Sequence, residues 1–231
     1  MVLEAARRHK VQRLIYCSSS EVYGNCGIEW LSEEAPCAPV TIYGAAKLAG
    51  ENYAKAYWQT YRLPIVVVRP FNAYGPRAHE TGVLAEVIPR FVIRVLNGLP
   101  PVIFGNGNNG RDFTYVTDTV RGIALAGDCD ALIGQTINIA TGRMITIGQV
   151  AECIAKQCNQ PDLRPINVDS RPGDLHKLQA DTRVARQVLG FCPEVDFDEG
   201  IRRYIAWFRI RHNDFSALLE EEVRNWRMPD G

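Results

Sequence analysis

Residues 13–24 read RLIYCSSSEVYG, and residues 41–51 read TIYGAAKLAGE. The first stretch opens with a short apolar run, Arg13–Cys17, which is typical of a buried strand in a parallel sheet. Three serines follow this run, and the second stretch has the composition and spacing of a helix. A strand, hydroxyl side chains and then a helix predict an α/β fold whose polar residues lie at the carboxyl end of the strand, where such sheets bind ligands.

Outward from this stretch, apolar runs and helical patterns alternate along the chain, which predicts crossovers between parallel strands. Further strands are expected at 64–69, 102–104 and 136–140, with an extended segment at 113–116. Helices are expected at 1–9, 41–61, 87–97, 117–128, 146–158, 181–189 and 198–211. Thr146 and Gln149 form a capping-box pattern, and Gly190 is a good helix C-cap. The last twenty residues are expected to form a solvated terminal helix or a partner contact.

The composition excludes several classes of protein. Of 231 residues, 46% are hydrophobic, and 26 basic residues balance 26 acidic ones, which argues against general nucleic-acid binding. The seven cysteines form no zinc-site spacing, so we expect no metal and reduced thiols in a cytoplasmic protein. The longest apolar runs are far too short to cross a membrane, and no signal-peptide pattern opens the chain.

Tyr43 and Lys47 are a candidate catalytic pair. Residues four apart lie on one face of a helix, and an ammonium group near a phenol stabilises the phenolate form. Such a tyrosine can take a proton from an alcohol while hydride leaves the same carbon. Taken alone, the pattern is weak evidence, because helices contain it by chance as a surface pair, but a preceding strand that ends in serines makes the combination much more specific.

Five motifs in order carry a resemblance to a known family. They are SSSEVYG at 18–24, YGAAK at 43–47, VVRPFNAYGPR at 67–77, GRDFTYVTD at 110–118 and RPGDLHKLQAD at 171–181. In this order, over about residues 2–208, the chain resembles the NAD-dependent nucleotide-sugar epimerases and dehydratases, which are extended short-chain dehydrogenases/reductases. The resemblance implies an enzyme with NAD as cofactor, or NADP as the alternative, a nucleotide sugar as substrate and a homodimer as the assembly.

The resemblance implies catalytic and cofactor roles for residues of the first three motifs. Ser19 would hydrogen-bond the sugar hydroxyl, Tyr43 would be the base, and Lys47 would orient Tyr43 and the cofactor ribose. The cofactor-binding residues implied are Ser18, Tyr43, Lys47, Pro70 and Phe71, of which the last two would line the nicotinamide.

The resemblance also implies a set of substrate-binding residues. Asn72 would contact the substrate phosphate, Phe104 would flank the nucleotide base, and Asp174 would face the nucleotide ribose. Arg111 and Arg171 would clamp the diphosphate, which suits the bidentate donors of guanidinium groups.

The fold expected from the resemblance is the C-terminal part of a Rossmann-like, doubly wound parallel sheet plus a smaller α/β substrate-binding domain. Residues 1–75 would be the remainder of the cofactor and catalytic domain, to which residues 112–140 partly return. Residues 76–231 would mainly form the nucleotide-sugar-binding domain.

The exact reaction stays open between three readings. An epimerase oxidises the C4 hydroxyl and returns the hydride, which is our first expectation. Glu21 is the departure from plain epimerases, because 4,6-dehydratases and UDP-glucuronate decarboxylases of the family have Glu here and are the second reading. However, Ser20 stands where many dehydratases have Asp, and the segment 171–181 looks more like the epimerases. A non-catalytic fragment or sugar-nucleotide-binding subunit is the third reading.

One element of the family pattern is not found in the sequence. The family begins with a strand and a G-x-x-G-x-x-G turn that holds the cofactor pyrophosphate at a helix N-terminus. The glycines of the loop 105–110 have the wrong spacing and context for it. We therefore expect an N-terminally truncated or mis-started chain.

This expectation predicts that the 231 residues alone do not bind NAD tightly, because nothing in the sequence replaces the pyrophosphate turn. Isothermal titration calorimetry of the purified chain with NAD measures this directly. One-to-one binding at micromolar concentration would show that the cofactor needs no such turn.

Overall fold

The protein, seen in a computed structural model, is described for residues 1–82, 84–170 and 177–220. The strands are β1 (Leu14–Cys17), β2 (Ile65–Pro70), β3 (Ala73–Tyr74), β4 (Val102–Phe104), β5 (Gly110–Asp112), β6 (Thr114–Tyr115), β7 (Thr136–Ile139), β8 (Met144–Thr146), β9 (Ile166–Val168) and β10 (Lys177–Leu178). The helices are α1 (Val2–Arg8), α2 (Ile42–Tyr61), α3 (Val87–Leu96), α4 (Val116–Asp128), α5 (Ile147–Gln157), α6 (Arg183–Leu189) and α7 (Phe197–Arg211). Short 3-10 helices lie at Ser20–Tyr23, Asp130–Leu132 and Ser216–Leu218.

The chain divides into two compact units. The first comprises Met1–Ala73, Gly110–Met144 and Leu175–Glu194, and the second comprises Tyr74–Asn109, Ile145–Asp174 and Val195–Gly231.

A parallel sheet in the order β1–β2–β7 forms the centre of the first unit. Cys17 pairs with Val68, and Pro70 pairs with Ile139. The three strands therefore end at one edge of the sheet, from which the serine segment, Phe71 and Ala140 continue. The parallel α/β fold expected from the sequence is confirmed.

Strand β2 is covered on both faces. Ile65 and Val67 belong to one buried cluster, which they share with residues of α1 and α2. Val66 and Val68 belong to another cluster, formed with residues of α4 and α6. A strand buried on both faces has no polar face, which explains its continuous apolar sequence.

The first unit also contains residues 177–194. The sequence had led us to expect this segment in the second domain. Leu178 of β10 pairs with Arg111 of β5, and Ala185 and Phe191 lie in the buried cluster of α4 and β7. The C-terminal boundary of the first unit therefore follows from contacts that are distant in sequence.

The second unit is mainly helical, with β4 and β9 as a parallel pair. Helix α5 begins with the expected capping box, in which the Thr146 hydroxyl accepts from the Gln149 amide and the Gln149 side chain accepts in return. Helix α7 buries Ile201, Tyr204, Ile205 and Phe208, as its amphipathic pattern predicts. Of the expected terminal helix, residues 221–231 lie outside the described residues.

Two kinds of feature are absent from the described residues. No helix there is long and apolar enough to cross a membrane. Within the same described ranges, no group of three or more His, Cys, Asp or Glu side chains is placed to hold a metal ion.

Candidate active site

Helix α2 carries a row of polar side chains from an exposed to a buried environment. Thr41 is the N-cap, and its hydroxyl accepts a hydrogen bond of 2.9 Å from the Gly44 amide. Tyr43, Lys47 and Glu51 follow at intervals of four residues and therefore share a helix face. Tyr43 is 51% exposed and Glu51 is 0% exposed. The Tyr43 phenol thus lies at the surface, whereas the Glu51 carboxylate, eight residues further along the same helix face, is in the interior.

Lys47 is held beside the end of β1. Its Nζ donates to the carbonyl oxygen of Cys17 over 2.9 Å. It lies 5.6 Å from the centroid of the Tyr43 ring and 5.9 Å from that of the Tyr16 ring. Tyr16 in turn donates its hydroxyl to the carbonyl of Lys47 over 3.1 Å. The arrangement places a fixed positive charge next to the Tyr43 phenol.

The close approach of Tyr16 to α2 requires a glycine. A Cβ atom at Gly50 would lie 1.9 Å from the Tyr16 hydroxyl oxygen. The sequence pattern Lys47-Leu-Ala-Gly50 therefore lets the strand and the helix meet at the level of the lysine.

The serines after β1 are used in three different ways. Ser18 is 2% exposed and donates its hydroxyl to Glu51 Oε1 over 2.5 Å. Ser19 caps the short helix that follows, since its Oγ accepts from the Glu21 amide over 3.2 Å. Ser20 is 3% exposed. The cofactor contact of Ser18 and the sugar contact of Ser19 stay predictions.

Glu21 belongs to the short helix Ser20–Tyr23 and contacts the start of α2. The hydroxyl of Thr41 donates to its Oε2 over 2.7 Å. The helix that carries Tyr43 and Lys47 thus also holds the Glu21 carboxylate, through its N-cap residue. Ser19 lies two residues before Glu21 in the same short segment.

A buried network anchors this helix to the sheet. Arg69 of β2 donates to Glu51 through Nε over 2.8 Å and through Nη2 over 2.6 Å. Its Nη1 donates to the Tyr23 hydroxyl over 2.9 Å, and Tyr23 donates to Asn138 Oδ1 over 2.8 Å. Arg69 and Glu51 are 1% and 0% exposed, so their bidentate geometry compensates two buried charges.

The network also sets the charge state of its members. Burial raises the pKa of Tyr23 to about 12, although Arg69 and Asn138 oppose this rise. Burial is the largest single influence on Arg69 and lowers its pKa, but the hydrogen bonds and charge interactions with Glu51 and Tyr23 together outweigh burial, so the pKa of Arg69 is raised. Tyr23 is therefore a neutral hydrogen-bonding group at neutral pH, and it is not a competing base to Tyr43.

The residues expected to contact cofactor and substrate lie in different places. Pro70 ends β2, and Asn72 is exposed two residues later. Phe71 between them is fully buried, with its ring 6.1 Å from that of Tyr23. Its role in this structure is packing, and its contact with a nicotinamide stays a prediction.

The residues expected to bind the nucleotide diphosphate are only partly described. Arg111 lies in β5 and is half-buried, and its Nη1 donates to the carbonyl of Gly110 over 2.9 Å. Phe104 ends β4 in the second unit and is half-buried. Arg171 and Asp174 lie outside the described residues.

Sequence reasoning missed Thr41, Glu51, Arg69 and Asn138. Two signals were available. Glu51 repeats the four-residue spacing of Tyr43 and Lys47, and Arg69 is a charge inside an otherwise apolar strand. A charge in such a strand needs a buried partner, which points to an acid on a covering helix.

Comparison with known proteins identifies the family of the chain. The family model described as GDP-mannose 4,6 dehydratase matches residues 1–204. A dTDP-glucose 4,6-dehydratase from Actinoplanes is 35% identical over 213 residues, or 92% of this chain. The structure of a UDP-glucose 4-epimerase with UDP-glucose from Thermotoga maritima has a TM-score of 0.86 and 32% identity. That of a UDP-glucuronic acid 4-epimerase with UDP-glucuronic acid and NAD from Bacillus cereus has a TM-score of 0.85 and 29% identity.

This chain is shorter than the proteins that it resembles. It spans 65% of the length of the Actinoplanes dehydratase. The match to the Thermotoga structure covers 91% of this chain and 67% of the Thermotoga chain. The match to the Bacillus structure covers 91% of this chain and 66% of the Bacillus chain.

The buried pair Glu51–Arg69 leads to a stability prediction. Glu51→Ala leaves the Arg69 charge buried without a partner, so we expect a loss of about 3–5 kcal/mol in the free energy of unfolding. Glu51→Leu combined with Arg69→Met removes both charges and should be much milder. Urea unfolding curves of the unmodified protein, Glu51→Ala and the double variant measure the free energies of unfolding.

Glu199, which pairs with Arg202 over 2.6 Å on the surface of α7, provides the matched control. Because exposed ion pairs contribute little, Glu199→Ala should change the unfolding curve only slightly. Equal effects of Glu51→Ala and Glu199→Ala would contradict the anchoring role of the buried pair.

Proposed function

The chain belongs to the family of NAD-dependent nucleotide-sugar epimerases and dehydratases, and we propose that it carries the catalytic centre of an enzyme that oxidises the C4 hydroxyl of a nucleotide-linked sugar. The first form of this proposal is a 4-epimerase, in which the hydride returns to the same carbon. The proposed substrate is a nucleoside diphosphate sugar, and Arg111 would bind its diphosphate.

One observation carries the proposal. The ammonium of Lys47 lies 5.6 Å from the Tyr43 ring centroid and is held by the Cys17 carbonyl over 2.9 Å at the carboxyl end of β1. Tyr43 remains half exposed, so its hydroxyl is accessible to a substrate. A fixed cation beside an accessible phenol is what proton abstraction from an alcohol requires.

The Lys47 side chain fits the ribose end of the nicotinamide half of NAD. Lys47 has three donors, of which the Cys17 carbonyl uses one, so the others can bind ribose hydroxyls. The site lies where parallel strands end, which is where dinucleotides bind in α/β sheets. When bound, NAD supplies the acceptor for a hydride.

The residues of the chain then have separate tasks. Tyr43 takes the proton of the C4 hydroxyl as the carbon–hydrogen bond at C4 breaks. This transfer requires the phenolate form of Tyr43, which the ammonium of Lys47 stabilises. Ser19 donates a hydrogen bond to the sugar oxygen. On return, the phenol gives the proton back to the oxygen, so Tyr43 is restored.

Two residues favour different forms of the reaction. Ser20 favours the epimerase, because a hydroxyl cannot act as the acid that protonates a leaving hydroxyl at C6. Glu21 favours a second candidate, a 4,6-dehydratase or UDP-glucuronate decarboxylase. The specific observation for it is that the carboxylate of Glu21 is held at the start of the helix that carries Tyr43. In a dehydratase, Glu21 removes the C5 proton of the 4-keto sugar.

We also propose a cytoplasmic homodimer. The seven cysteines are all free thiols, which suits a reducing compartment. The solvent-facing side of α2 contains apolar Ile42 and Tyr53, which are 93% and 65% exposed, and a second subunit would cover them.

Tyr43→Phe should reduce turnover by about 10²–10⁴-fold, because the phenol transfers the proton. The measurement is the rate of nucleotide-sugar conversion in a form of the protein that binds NAD, with substrate affinity measured alongside. Tyr53→Phe on the same helix is the control and should change neither. A near wild-type rate for Tyr43→Phe would remove Tyr43 as the base. Absence of turnover in the unmodified protein would favour a non-catalytic binding subunit.

Glu21→Gln should separate the two chemistries. An epimerase should lose little, since epimerisation needs no proton removal from C5, whereas a dehydratase should stop after C4 oxidation. Mass spectrometry of the product distinguishes loss of water, loss of carbon dioxide and no change in mass. A product of unchanged mass with an inverted stereocentre would retire the dehydratase and decarboxylase forms.

A further inference from the structure

The hydroxyl of Thr41 makes two hydrogen bonds with different partners. It accepts a hydrogen bond of 2.9 Å from the Gly44 amide, which caps α2. It also donates a hydrogen bond of 2.7 Å to Glu21 Oε2. A helix cap needs only the acceptor function, so the donated hydrogen bond is additional and connects the carboxylate to the helix that carries Tyr43.

The main chain around Glu21 is also packed tightly against this helix. A Cβ atom at Gly44 would lie 2.7 Å from the Glu21 carbonyl oxygen and 3.0 Å from Pro39 Cβ. No side chain fits there, so the short helix Ser20–Tyr23 lies directly on the first turn of α2. Both the backbone and the side chain of Glu21 therefore have their positions set by the segment 41–44.

These contacts leave the two carboxylate oxygens of Glu21 in different states. Oε2 is held by Thr41, whereas Oε1 has no hydrogen-bond partner within the part of the chain that the structure describes. A carboxylate fixed at one oxygen can rotate little, so its other oxygen keeps one direction.

We propose that Thr41 is a positioning residue, which orients the Glu21 carboxylate so that Oε1 acts on the sugar bound beside Tyr43. This inference rests on the proposed function, in the form in which Glu21 acts on the substrate. The class of substrate is a nucleotide sugar whose C4 ketone makes the neighbouring C5–H acidic. Glu21 takes that proton, and the electron pair moves into the bond between C5 and C4 to give an enolate. Proton transfer of this kind depends steeply on the direction and distance of the base.

The test compares Thr41→Ser, which keeps the hydroxyl, with Thr41→Val, which removes it at the same size. Crystal structures of the two variants give the first readout and require no turnover. We expect the Glu21 carboxylate to stay on the hydroxyl in Thr41→Ser and to leave its position in Thr41→Val. A carboxylate that keeps its position in Thr41→Val overturns the proposal.

The second readout is the rate of nucleotide-sugar conversion in a form that binds NAD, measured with Glu21 present and, as the residual rate, in a Glu21→Gln background. Thr41→Val should lower kcat by about 10- to 100-fold with Glu21 present, with KM nearly constant, and Thr41→Ser should restore it to within about threefold. With Glu21→Gln, Thr41→Val should add less than about threefold, because the residue acts through Glu21. An equal decrease in both backgrounds overturns the proposal.

Thr146→Val is the matched control for the loss of a helix cap. Thr146 caps α5 in the same way, through a hydrogen bond of 3.2 Å from the Gln149 amide, and does not contact Glu21. It should lower the melting temperature about as much as Thr41→Val but leave kcat unchanged. If the unmodified protein converts no nucleotide sugar, the proposed function fails, whereas the crystal structures still decide whether Thr41 orients Glu21.

Discussion

The buried ion pair between Glu51 and Arg69 is the interaction on which the candidate site depends. It joins the middle of α2 to the middle sheet strand with two hydrogen bonds, of 2.6 and 2.8 Å, and both side chains are buried. Two buried charges are stable only when each satisfies the other, which restricts the helix to one rotation and one height on the sheet. Ser18 adds a third hydrogen bond to the same carboxylate from the end of β1.

The position of the proposed catalytic side chains follows from this anchor. Lys47 is one step of four residues above Glu51 on the same helix face, and Tyr43 is one step above Lys47. With Glu51 fixed, Lys47 reaches the Cys17 carbonyl and lies beside the Tyr43 phenol. Thr41 then connects the start of the helix to Glu21. The site is thus pre-organised from the interior towards the surface, as an active site with fixed charges requires.

The sequence was sufficient for the parts of the fold that have a local cause. The apolar run before the serines, the four-residue spacing of Tyr43 and Lys47, and the capping box at Thr146 are local patterns, and the structure has the predicted strand and helices at all three. The family follows from the order of the motifs, and the comparisons bear it out. The short strands β5 and β10 were not predicted, because two or three residues such as Lys177–Leu178 become a strand only through a partner 67 residues away in sequence. The hydrogen-bond partners of Tyr23 and Glu21 were missed for the same reason, since a hydrogen bond across the fold leaves no periodic signal.

The central claim is that the phenol of Tyr43, held by this anchor, is the group that meets the C4 hydroxyl of a nucleotide sugar. A crystal structure of an NAD-loaded form with a nucleoside diphosphate sugar tests it most directly. The account predicts a distance of about 2.6–3.2 Å between the Tyr43 hydroxyl oxygen and the C4 oxygen, with Arg111 on the diphosphate. A sugar bound with C4 out of reach of Tyr43, or a diphosphate bound away from Arg111, would contradict it.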